Sequence, residues 1–248
     1  MTTQKLLSYF RRAIIQYNLI SDGDKIAVGL SGGKDSLTLL TLFKAYQRFS
    51  TEKFDLTAIN IDLGFDDTGQ GQKALQEYCD KIDVKLDVVK TDIFQVVFKH
   101  RQESNPCSLC SKMRRGALCN RAERLKFNKV ALGHHSDDLM ETFFMSMFYE
   151  GRLSTFSPKS YLTKTGITII RPMLLINECD IISYAKNLPV VFNPCPVNHH
   201  TSREYMKNLL KSIQKDIPIA KERIFKAIIS PERYNLFNKF DTNTDAEV

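Results

Sequence analysis

Short apolar runs alternate along this chain with longer segments in which apolar residues recur every three or four positions. Strands buried on both faces of a sheet have continuous apolar sequences, whereas helices that cover a sheet show the helical period. The apolar runs predict strands at 25–30, 56–62, 84–90, 129–133 and 167–171. The periodic segments predict helices at 37–49, 72–81, 108–127, 137–149 and 177–187.

This alternation predicts an α/β fold in which a mostly parallel sheet carries helices on both faces. In such sheets, ligands bind beyond the carboxyl ends of the strands. We expect residues 1–248 to form one domain, with an N-terminal helix at 1–20 and a helical C-terminal extension at 201–240.

The N-terminal segment carries arginines and no acidic residue, a composition that transit peptides share. Leu6, Phe10, Ile14 and Tyr17 recur at helical spacing, which favours an amphipathic helix instead. The longest apolar runs are far shorter than the ~20 residues that cross a bilayer, and no secretory signal is visible. The sequence therefore predicts a cytoplasmic protein with no membrane partner.

The formal net charge of +7 is moderately basic. Such an excess of Lys and Arg is either an ordinary solvated surface or the footprint of a polyanionic partner, with nucleic acid the first candidate. Charge alone does not distinguish among RNA, DNA and anionic lipid.

Residues 31–36 read Ser-Gly-Gly-Lys-Asp-Ser and connect the first predicted strand to an apolar helix. The two glycines let a ligand approach the backbone, and the N–H groups of the loop and helix start point toward anionic oxygens. Lys34 is placed to offset charge on a leaving group. The Walker A spacing is absent, because Val28 and Asp35 hold its glycine and hydroxyl positions. The alternative is a plain glycine-rich turn.

Cys107 and Cys110 lie three positions apart at a predicted helix start, for which Asn105 suits the N-cap. A helix N-terminus lowers a thiol pKa, and the thiolate is the form that binds metal. The best third ligand is Cys195, which lies between two prolines. Three interpretations stay open: no metal, zinc with a nearby histidine, or an iron–sulfur cluster with three cysteine ligands. The histidine candidates for zinc are His199 and His200. The other cysteines are expected to be buried small apolar residues: Cys79, Cys119 and Cys179.

The fourth predicted strand ends in Gly133, and a helix follows with Ser136 suited to its N-cap. Asp137 and Asp138 either complement the helix dipole or hold Mg²⁺ on a nucleotide.

The loop at 31–36 resembles the PP-loop of the ATP-pyrophosphatase superfamily, in which ATP is split between its α and β phosphates. Four further blocks follow it in order and together resemble the TtcA family of tRNA 2-thiocytidine synthetases. These blocks lie at 107–118, 132–138, 148–153 and 170–173. The related TtuA enzymes share part of this pattern but carry zinc-binding cysteine clusters at both ends, which this chain lacks.

The resemblance implies roles for individual residues. ATP would be held by Ser31, Gly32, Gly33, Asp35, Ser36 and Gly133, with Asp62 near the adenosine. Lys34 and Asp138 would be catalytic, the latter with Mg²⁺. A 4Fe-4S cluster would be held by Cys107, Cys110 and Cys195, and its open iron would bind sulfide. The chain departs from the family pattern at Asn198, where members often have a further cysteine.

The implied reaction is adenylation of the C2 oxygen of a tRNA cytidine, followed by its replacement with sulfur. The implied partners are tRNA, a sulfur donor such as a cysteine desulfurase or free sulfide, and a second copy in a homodimer. Contacts with tRNA phosphates are expected from Arg114, Arg115, Arg152 and Arg171. The alternatives are a PP-loop sulfurtransferase acting on a tRNA uridine or a small molecule, and a non-enzymatic redox sensor that binds a nucleotide and a cluster.

Overall fold

The computed structural model describes residues 2–65, 69–101, 106–191, 195, 201–234 and 236. The helices are α1 (Thr3–Gln16), α2 (Lys34–Gln47), α3 (Gln70–Lys81), α4 (Pro106–Arg124), α5 (Ser136–Glu150), α6 (Glu178–Ala185), α7 (Ser202–Asp216) and α8 (Ala220–Ile228). The strands are β1 (Asp24–Gly29), β2 (Phe54–Asp62), β3 (Lys85–Lys90), β4 (Lys129–Ala131), β5 (Lys159–Leu162) and β6 (Ile167–Ile170). A π-helical turn spans Gln95–His100 and a 3-10 turn spans Pro231–Arg233.

The strands of the described residues form a six-stranded sheet in the order β3-β2-β1-β4-β6-β5. Every neighbouring pair is parallel except β5 and β6, which are antiparallel. The chain builds outward from β1, first through β2 and β3 and later through β4 and β6. The carboxyl ends of β1 and β4 therefore flank the point where the strand order reverses, which is the usual ligand site of such a sheet.

The five predicted strands and five predicted central helices are all present, with boundaries within three residues of those expected. Strand β5 and the π-helical turn were not predicted. β5 is a four-residue edge strand whose residues alternate between exposed and partly buried, so it lacks the apolar run that marks the central strands. Within the predicted C-terminal extension, the described residues form α7, α8 and the 3-10 turn. The tail at 241–248 lies outside the described residues.

Apolar side chains fill the space on both faces of the sheet. Ile26 and Val28 of β1 belong to the cluster that also contains α1 and α2, while Ala27 belongs to the opposite cluster under α4. Phe10 of α1 meets Phe43 of α2 edge to face with ring centroids 5.1 Å apart. The predicted amphipathic N-terminal helix thus covers one face of the sheet.

Helices α7 and α8 pack against α5, so the C-terminal extension lies beside the helix that follows β4. Met206 and Leu210 of α7 are buried. Among the described helices, none combines the length and the apolar character that crossing a bilayer requires.

Candidate active site

The loop at 31–36 leaves the carboxyl end of β1 and opens the N-terminus of α2. Gly33 is the N-cap of α2 and supplies no side chain to its first N–H groups, which are left to bind an anion. The Ser36 hydroxyl donates to the Gly33 carbonyl at 2.9 Å and accepts from the Ser31 N–H at 3.2 Å. Gly32 has φ +81°, a left-handed conformation that favours glycine. The fold of this loop is fixed by its own hydroxyl groups.

Two carboxylates hold the side chain of Lys34. Its Nζ lies 3.0 Å from both carboxylate oxygens of Asp35 and 3.2 Å from Oε1 of Glu178, at the start of α6. Burial works against the charged ammonium, but Asp35 and Glu178 outweigh it and raise the pKa of Lys34. Glu178 also accepts from Lys207 of α7 at 2.7 Å. Burial opposes its ionisation, yet Lys207 and Lys34 lower the pKa of Glu178.

The N-terminus of α5 has a different cap from the one predicted. His135, not Ser136, is the N-cap: its Nδ1 accepts from the Asp138 N–H, and the Asp138 carboxylate accepts from the His135 N–H at 3.0 Å. The Ser136 hydroxyl instead donates to the Ile176 carbonyl at 2.9 Å, which removes it from the capping position. Asp138 is therefore held in a reciprocal capping box and keeps a side-chain exposure of 20%.

Asp137 is anchored between the C-terminal helices and α6. Its carboxylate accepts from the Glu178 N–H at 2.7 Å and from Lys221 of α8 at 2.7 Å. Burial would raise its pKa, but these partners outweigh burial and lower the pKa of Asp137. This acid has a structural role at the start of α6.

Gly133 brings the start of α5 against the nucleotide loop. A Cβ atom at this position would lie 3.1 Å from the carbonyl carbon and oxygen of Asp35, closer than side chains normally approach a backbone. His135 Nε2 lies 3.7 Å from Oδ1 of Asp35. The two segments predicted to bind ATP are therefore adjacent.

Sequence reasoning did not select three further polar residues in or beside α5: Glu141, Arg203 and His134. Arg203 of α7 donates to Glu141 at 3.1 Å. Burial first, and then the charge of Asp138, raise the pKa of Glu141 to about 7. Burial lowers the pKa of His134 to about 4, so this imidazole is neutral at physiological pH. In the sequence, Glu141 lies one helical turn after Asp138 and so on the same helix face. This spacing alone does not distinguish a buried acid from a solvated one.

Asp62 ends β2 and closes a tight turn. Its Oδ1 accepts from the Gly64 N–H at 2.9 Å, and its other oxygen accepts from the Gln72 side chain. Asp62 thus lies at the carboxyl edge of the sheet, where the adenosine contact was predicted, and its oxygens have protein partners.

The three cysteines predicted as ligands influence one another electrostatically. Burial first, and then Cys195, raise the pKa of Cys107. Burial also raises the pKa of Cys110, opposed by Arg114 and reinforced by Cys195 and Cys107. The lowering of the thiol pKa expected at a helix N-terminus is thus wrong, because burial and neighbouring thiols dominate. The cap predicted at Asn105 lies outside the described residues.

Among the described residues, no group of three or more His, Cys, Asp or Glu side chains is arranged so that it could hold a metal ion. Cys107, Cys110 and Cys195 therefore do not form a closed ligand set in this structure. Of the remaining cysteines, Cys79 and Cys119 are buried as predicted, whereas Cys179 is exposed on α6. The prediction of burial for Cys179 is wrong because the start of α6 faces solvent on that side.

The segment that leads to Cys195 is attached to the nucleotide loop. Val191 donates its N–H to the Gly32 carbonyl at 3.0 Å. Four residues span at most ~14 Å when fully extended, so Cys195 lies within that distance of Val191. This limit sets how far the candidate sulfur ligand can lie from the residue that contacts the nucleotide loop.

The four predicted tRNA-contacting arginines differ in exposure. Arg114 and Arg115 are exposed on α4, and Arg152 is exposed beside Glu150. Arg171 is buried: its guanidinium lies 5.0 Å over the Phe156 ring and donates to the Ser157 carbonyl at 2.6 Å. Burial lowers the pKa of Arg171 to about 10. The surface position expected for Arg171 is wrong, because an aromatic ring and a carbonyl satisfy its charge inside the fold.

Comparison with known proteins supports the assignment made from the motifs. The family described as PP-loop domain matches residues 4–215. The tRNA-cytidine(32) 2-sulfurtransferase of Geotalea uraniireducens is 38% identical, over 91% of this chain and 91% of that relative. The enzyme of the same name from Aliivibrio fischeri is 38% identical, over 92% of this chain and 76% of its own.

A solved structure shares the fold. The U34-tRNA thiolase NcsA from Methanococcus maripaludis, with its 4Fe-4S cluster, matches with a TM-score of 0.76 and 23% identity, over 99% of this chain and 85% of that one. Since the family match spans most of the sequence and relatives are 37% and 38% identical over the aligned residues, the chain belongs to the PP-loop family and, within it, to the tRNA-cytidine 2-sulfurtransferase (TtcA) family.

Proposed function

We propose that this chain is an ATP-dependent tRNA sulfurtransferase that adenylates the C2 oxygen of a cytidine and replaces that oxygen with sulfur. The observation that carries the proposal is the attachment of the Cys195 segment to the nucleotide loop through Val191 and Gly32. It supports a single site in which ATP activates a base next to a sulfur carrier. Relatives that match over 91% and 92% of the chain are named tRNA-cytidine(32) 2-sulfurtransferase.

ATP is the first substrate. The N–H groups at the start of α2, which have no side-chain cap, and the hydroxyl of Ser31 suit its phosphate oxygens. Lys34 lies at the same helix start and offsets charge on the departing pyrophosphate. Asp138, with a carboxylate that is partly exposed, would hold Mg²⁺, which stabilises phosphate charge when bound.

The reaction balances without an external oxidant or reductant. The C2 oxygen of cytosine attacks the α-phosphorus of ATP, and the bond between the α and β phosphates breaks to release pyrophosphate. Sulfide then attacks C2, and the C2–O bond breaks so that AMP leaves with the original oxygen. The proton of hydrosulfide passes to solvent. Sulfur and oxygen exchange in the same oxidation state, so no electrons are transferred.

The thiols of Cys107, Cys110 and Cys195 fit an iron–sulfur cluster by their chemistry. Thiolates are the ligands such clusters use, and the pKa values of Cys107 and Cys110 respond to Cys195. When bound, the cluster would supply an iron without a protein ligand as the carrier of sulfide. The protein would supply two of these thiols from α4 and the third from position 195.

Exposed arginines and the basic net charge suit a tRNA substrate. Arg114 and Arg115 lie on α4, the helix that carries two of the three thiols. A base must leave its stack to be modified, so a cytidine in a single-stranded loop is the natural target. The sulfur donor is a cysteine desulfurase or free sulfide.

Product analysis tests this proposal. Protein prepared without oxygen is mixed with tRNA, sulfide and ATP labelled on the α-phosphate. We expect one AMP and one pyrophosphate for each 2-thiocytidine formed, and no AMP with a tRNA in which the target cytidine is replaced by uridine. Release of ADP and phosphate, or AMP formation that ignores the target base, would contradict it.

A further inference from the structure

His134 lies on the face of the sheet that α4 covers. In β4, Val130 packs in the apolar cluster under α4, whereas Ala131 packs in the opposite cluster. Strand pairing continues past β4, because the Leu132 N–H donates to the Ile170 carbonyl at 3.0 Å, and Leu132 again packs under α4. Side chains alternate between the two faces of a strand, so His134 follows Val130 and Leu132 to the α4 face.

This position is next to the nucleotide loop and on the side that α4 supplies. Gly133, the preceding residue, lies against the backbone of Asp35. Helix α4 leads into the amino end of β4, so its first turns, which carry Cys107 and Cys110, lie toward the carboxyl edge of the sheet. A base that meets ATP at the loop and a sulfur carrier under α4 would lie beside the imidazole of His134.

The guanidinium of Arg171 fixes which ring nitrogen of His134 carries the proton. Its Nε donates to Nδ1 of His134 at 3.3 Å, and its Nη1 donates to the Ser157 carbonyl at 2.6 Å and to the Ser160 hydroxyl at 3.2 Å. Arginine has only donors, so Nδ1 must accept and the imidazole hydrogen must sit on Nε2. The Phe156 ring holds both groups, with its centroid 4.8 Å from the imidazole and 5.0 Å from the guanidinium carbon.

The Nε2–H group of His134 is available to a ligand. Among the described residues, Nε2 has no hydrogen-bond partner, and the buried side-chain atoms without a partner are Oγ1 of Thr38 and Oγ1 of Thr165. Nε2 therefore reaches accessible space. Burial lowers the pKa of His134 to about 4, so the ring keeps one N–H at physiological pH.

A donor that cannot become an acceptor discriminates between the two pyrimidine bases of RNA. N3 of cytosine is an acceptor, whereas N3 of uracil carries a hydrogen and donates. A site built to hydrogen-bond a substrate group rejects an analogue without that group, because the site's own polar atom is left unpaired.

We propose that Nε2–H of His134 donates to N3 of the target cytosine and that Arg171 is the positioning residue that excludes the other tautomer, so that this pair selects cytidine over uridine. The inference deepens the proposed function and rests on it, because it assigns the recognition of the base within that reaction.

Competition binding with tRNAs that differ at one atom of the target base tests the contact. One tRNA carries cytidine there and the other carries 3-deazacytidine, in which a C–H group replaces N3. With the non-cleavable analogue α,β-methylene ATP present, we expect the wild type to bind the 3-deazacytidine tRNA about tenfold more weakly. His134→Phe keeps a ring against Phe156 and removes this difference. His100→Phe, at an exposed histidine of the π-helical turn, is the matched control and retains it.

Two further variants test the fixed tautomer. In His134→Gln, an amide that can donate or accept takes the place of Nε2, so the affinity for a tRNA with uridine at the target position should rise about tenfold relative to cytidine. Arg171→Met keeps an apolar contact with Phe156 but frees Nδ1, and should relax the selection in the same direction.

Proton–nitrogen correlation spectra of the isotope-labelled imidazoles observe the tautomer without RNA or ATP. We expect the hydrogen of His134 on Nε2 in the wild type and a mixture of tautomers in Arg171→Met. The His134 signals are assigned from their loss in His134→Phe. The wild-type spectrum and the His134→Gln variant do not depend on the folding of Arg171→Met.

The inference is overturned if the wild type binds the cytidine and 3-deazacytidine tRNAs equally, or if His134→Phe keeps the difference. A wild-type spectrum with the hydrogen on Nδ1 also overturns it. A wild type that thiolates cytidine but ignores N3 defeats this inference alone. A wild type that distinguishes the two tRNAs but forms no 2-thiocytidine from ATP and sulfide defeats the proposed function alone.

Discussion

The ammonium group of Lys34 lies 3.2 Å from the carboxylate of Glu178, which joins the start of α2 to the start of α6. Lys207 of α7 shares the same carboxylate at 2.7 Å. The nucleotide loop is thus braced directly by α6 and, through Glu178, by α7 of the C-terminal extension. A phosphate group entering the loop meets a lysine that is already oriented.

Replacing Lys34 should slow AMP formation much more than it weakens ATP binding. In Lys34→Met, we expect the rate of AMP formation to fall about 100- to 1000-fold, because a donor aimed at developing charge is lost. ATP affinity changes much less, since the helix N–H groups remain. Lys44→Met is the matched control: Lys44 lies near the far end of the same helix and pairs with Asp83 at 3.1 Å. Equal losses in the two variants would contradict the role of Lys34.

The cysteine ligands can be distinguished from the other thiols by substitution. Serine at position 107, 110 or 195 should abolish the visible absorption of a reconstituted cluster and reduce thiolation to background, because each removes one ligand from Cys107, Cys110 or Cys195. Cys179→Ser, on exposed α6, should change neither property. Absorption and EPR spectra of anaerobic preparations provide the measurement. A colourless protein that retains zinc and full activity would defeat the iron–sulfur assignment.

Glu141 gives the protein a characteristic pH dependence of stability. Burial and Asp138 raise its pKa from 4.5 to about 7. Between these values the folded state binds more protons than the unfolded chain, so Glu141 lowers the free energy of unfolding as pH rises. Glu141→Gln lacks this loss. The free energy of unfolding of Glu141→Gln, relative to that of the wild type, should therefore rise by about 3 kcal/mol between about pH 4 and about pH 8.

The comparison must be made as a difference between the two proteins. Burial lowers the pKa of His134 from 6.5 to about 4, which makes stability rise with pH in an overlapping range. Urea denaturation at a series of pH values gives the free energy of unfolding of both proteins. The contribution of His134 is common to both and cancels in their difference. Glu150→Gln on the same helix should show the opposite sign, because Arg152 lowers the pKa of Glu150. A pH-independent difference for Glu141→Gln would show that its carboxyl titrates normally.

Exposed arginines on α4 should contribute to tRNA affinity through phosphate contacts. Arg114→Ala and Arg115→Ala should each weaken binding and reduce the slope of log Kd against log salt by about 1. Arg48→Ala provides the control, because this exposed arginine follows α2 at its end away from the nucleotide loop. Filter binding across a salt series measures the slopes. If Arg48→Ala has the same effect, binding reflects net charge and not a defined surface.

Much of the fold was predictable because it rests on local signals. The strands β1, β2, β4 and β6 are apolar runs that cannot face water, and the glycine pair at Gly32 and Gly33 marks a strand–helix turn. Strand β5 carries no such signal: its register comes from pairing with β6. The order of strands in the sheet likewise depends on packing between distant segments.

The site was predictable only where its residues lie within motifs. Glu178 contacts Lys34, and Lys207 contacts Glu178, from helices that no local pattern connects to the nucleotide loop. His135 takes the N-cap that Ser136 was expected to hold, since the carbonyl of Ile176 draws the serine hydroxyl away. Arg171 is buried because Phe156 provides a partner that lies far from it in sequence. Each difference arises from a tertiary contact.

The central claim is that this protein puts sulfur into tRNA, and nucleoside mass spectrometry of cellular tRNA tests it most directly. The account predicts that 2-thiocytidine disappears when the gene is deleted, returns with the wild-type gene and stays absent with Cys195→Ser. Unchanged 2-thiocytidine in tRNA from the deletion strain would contradict it.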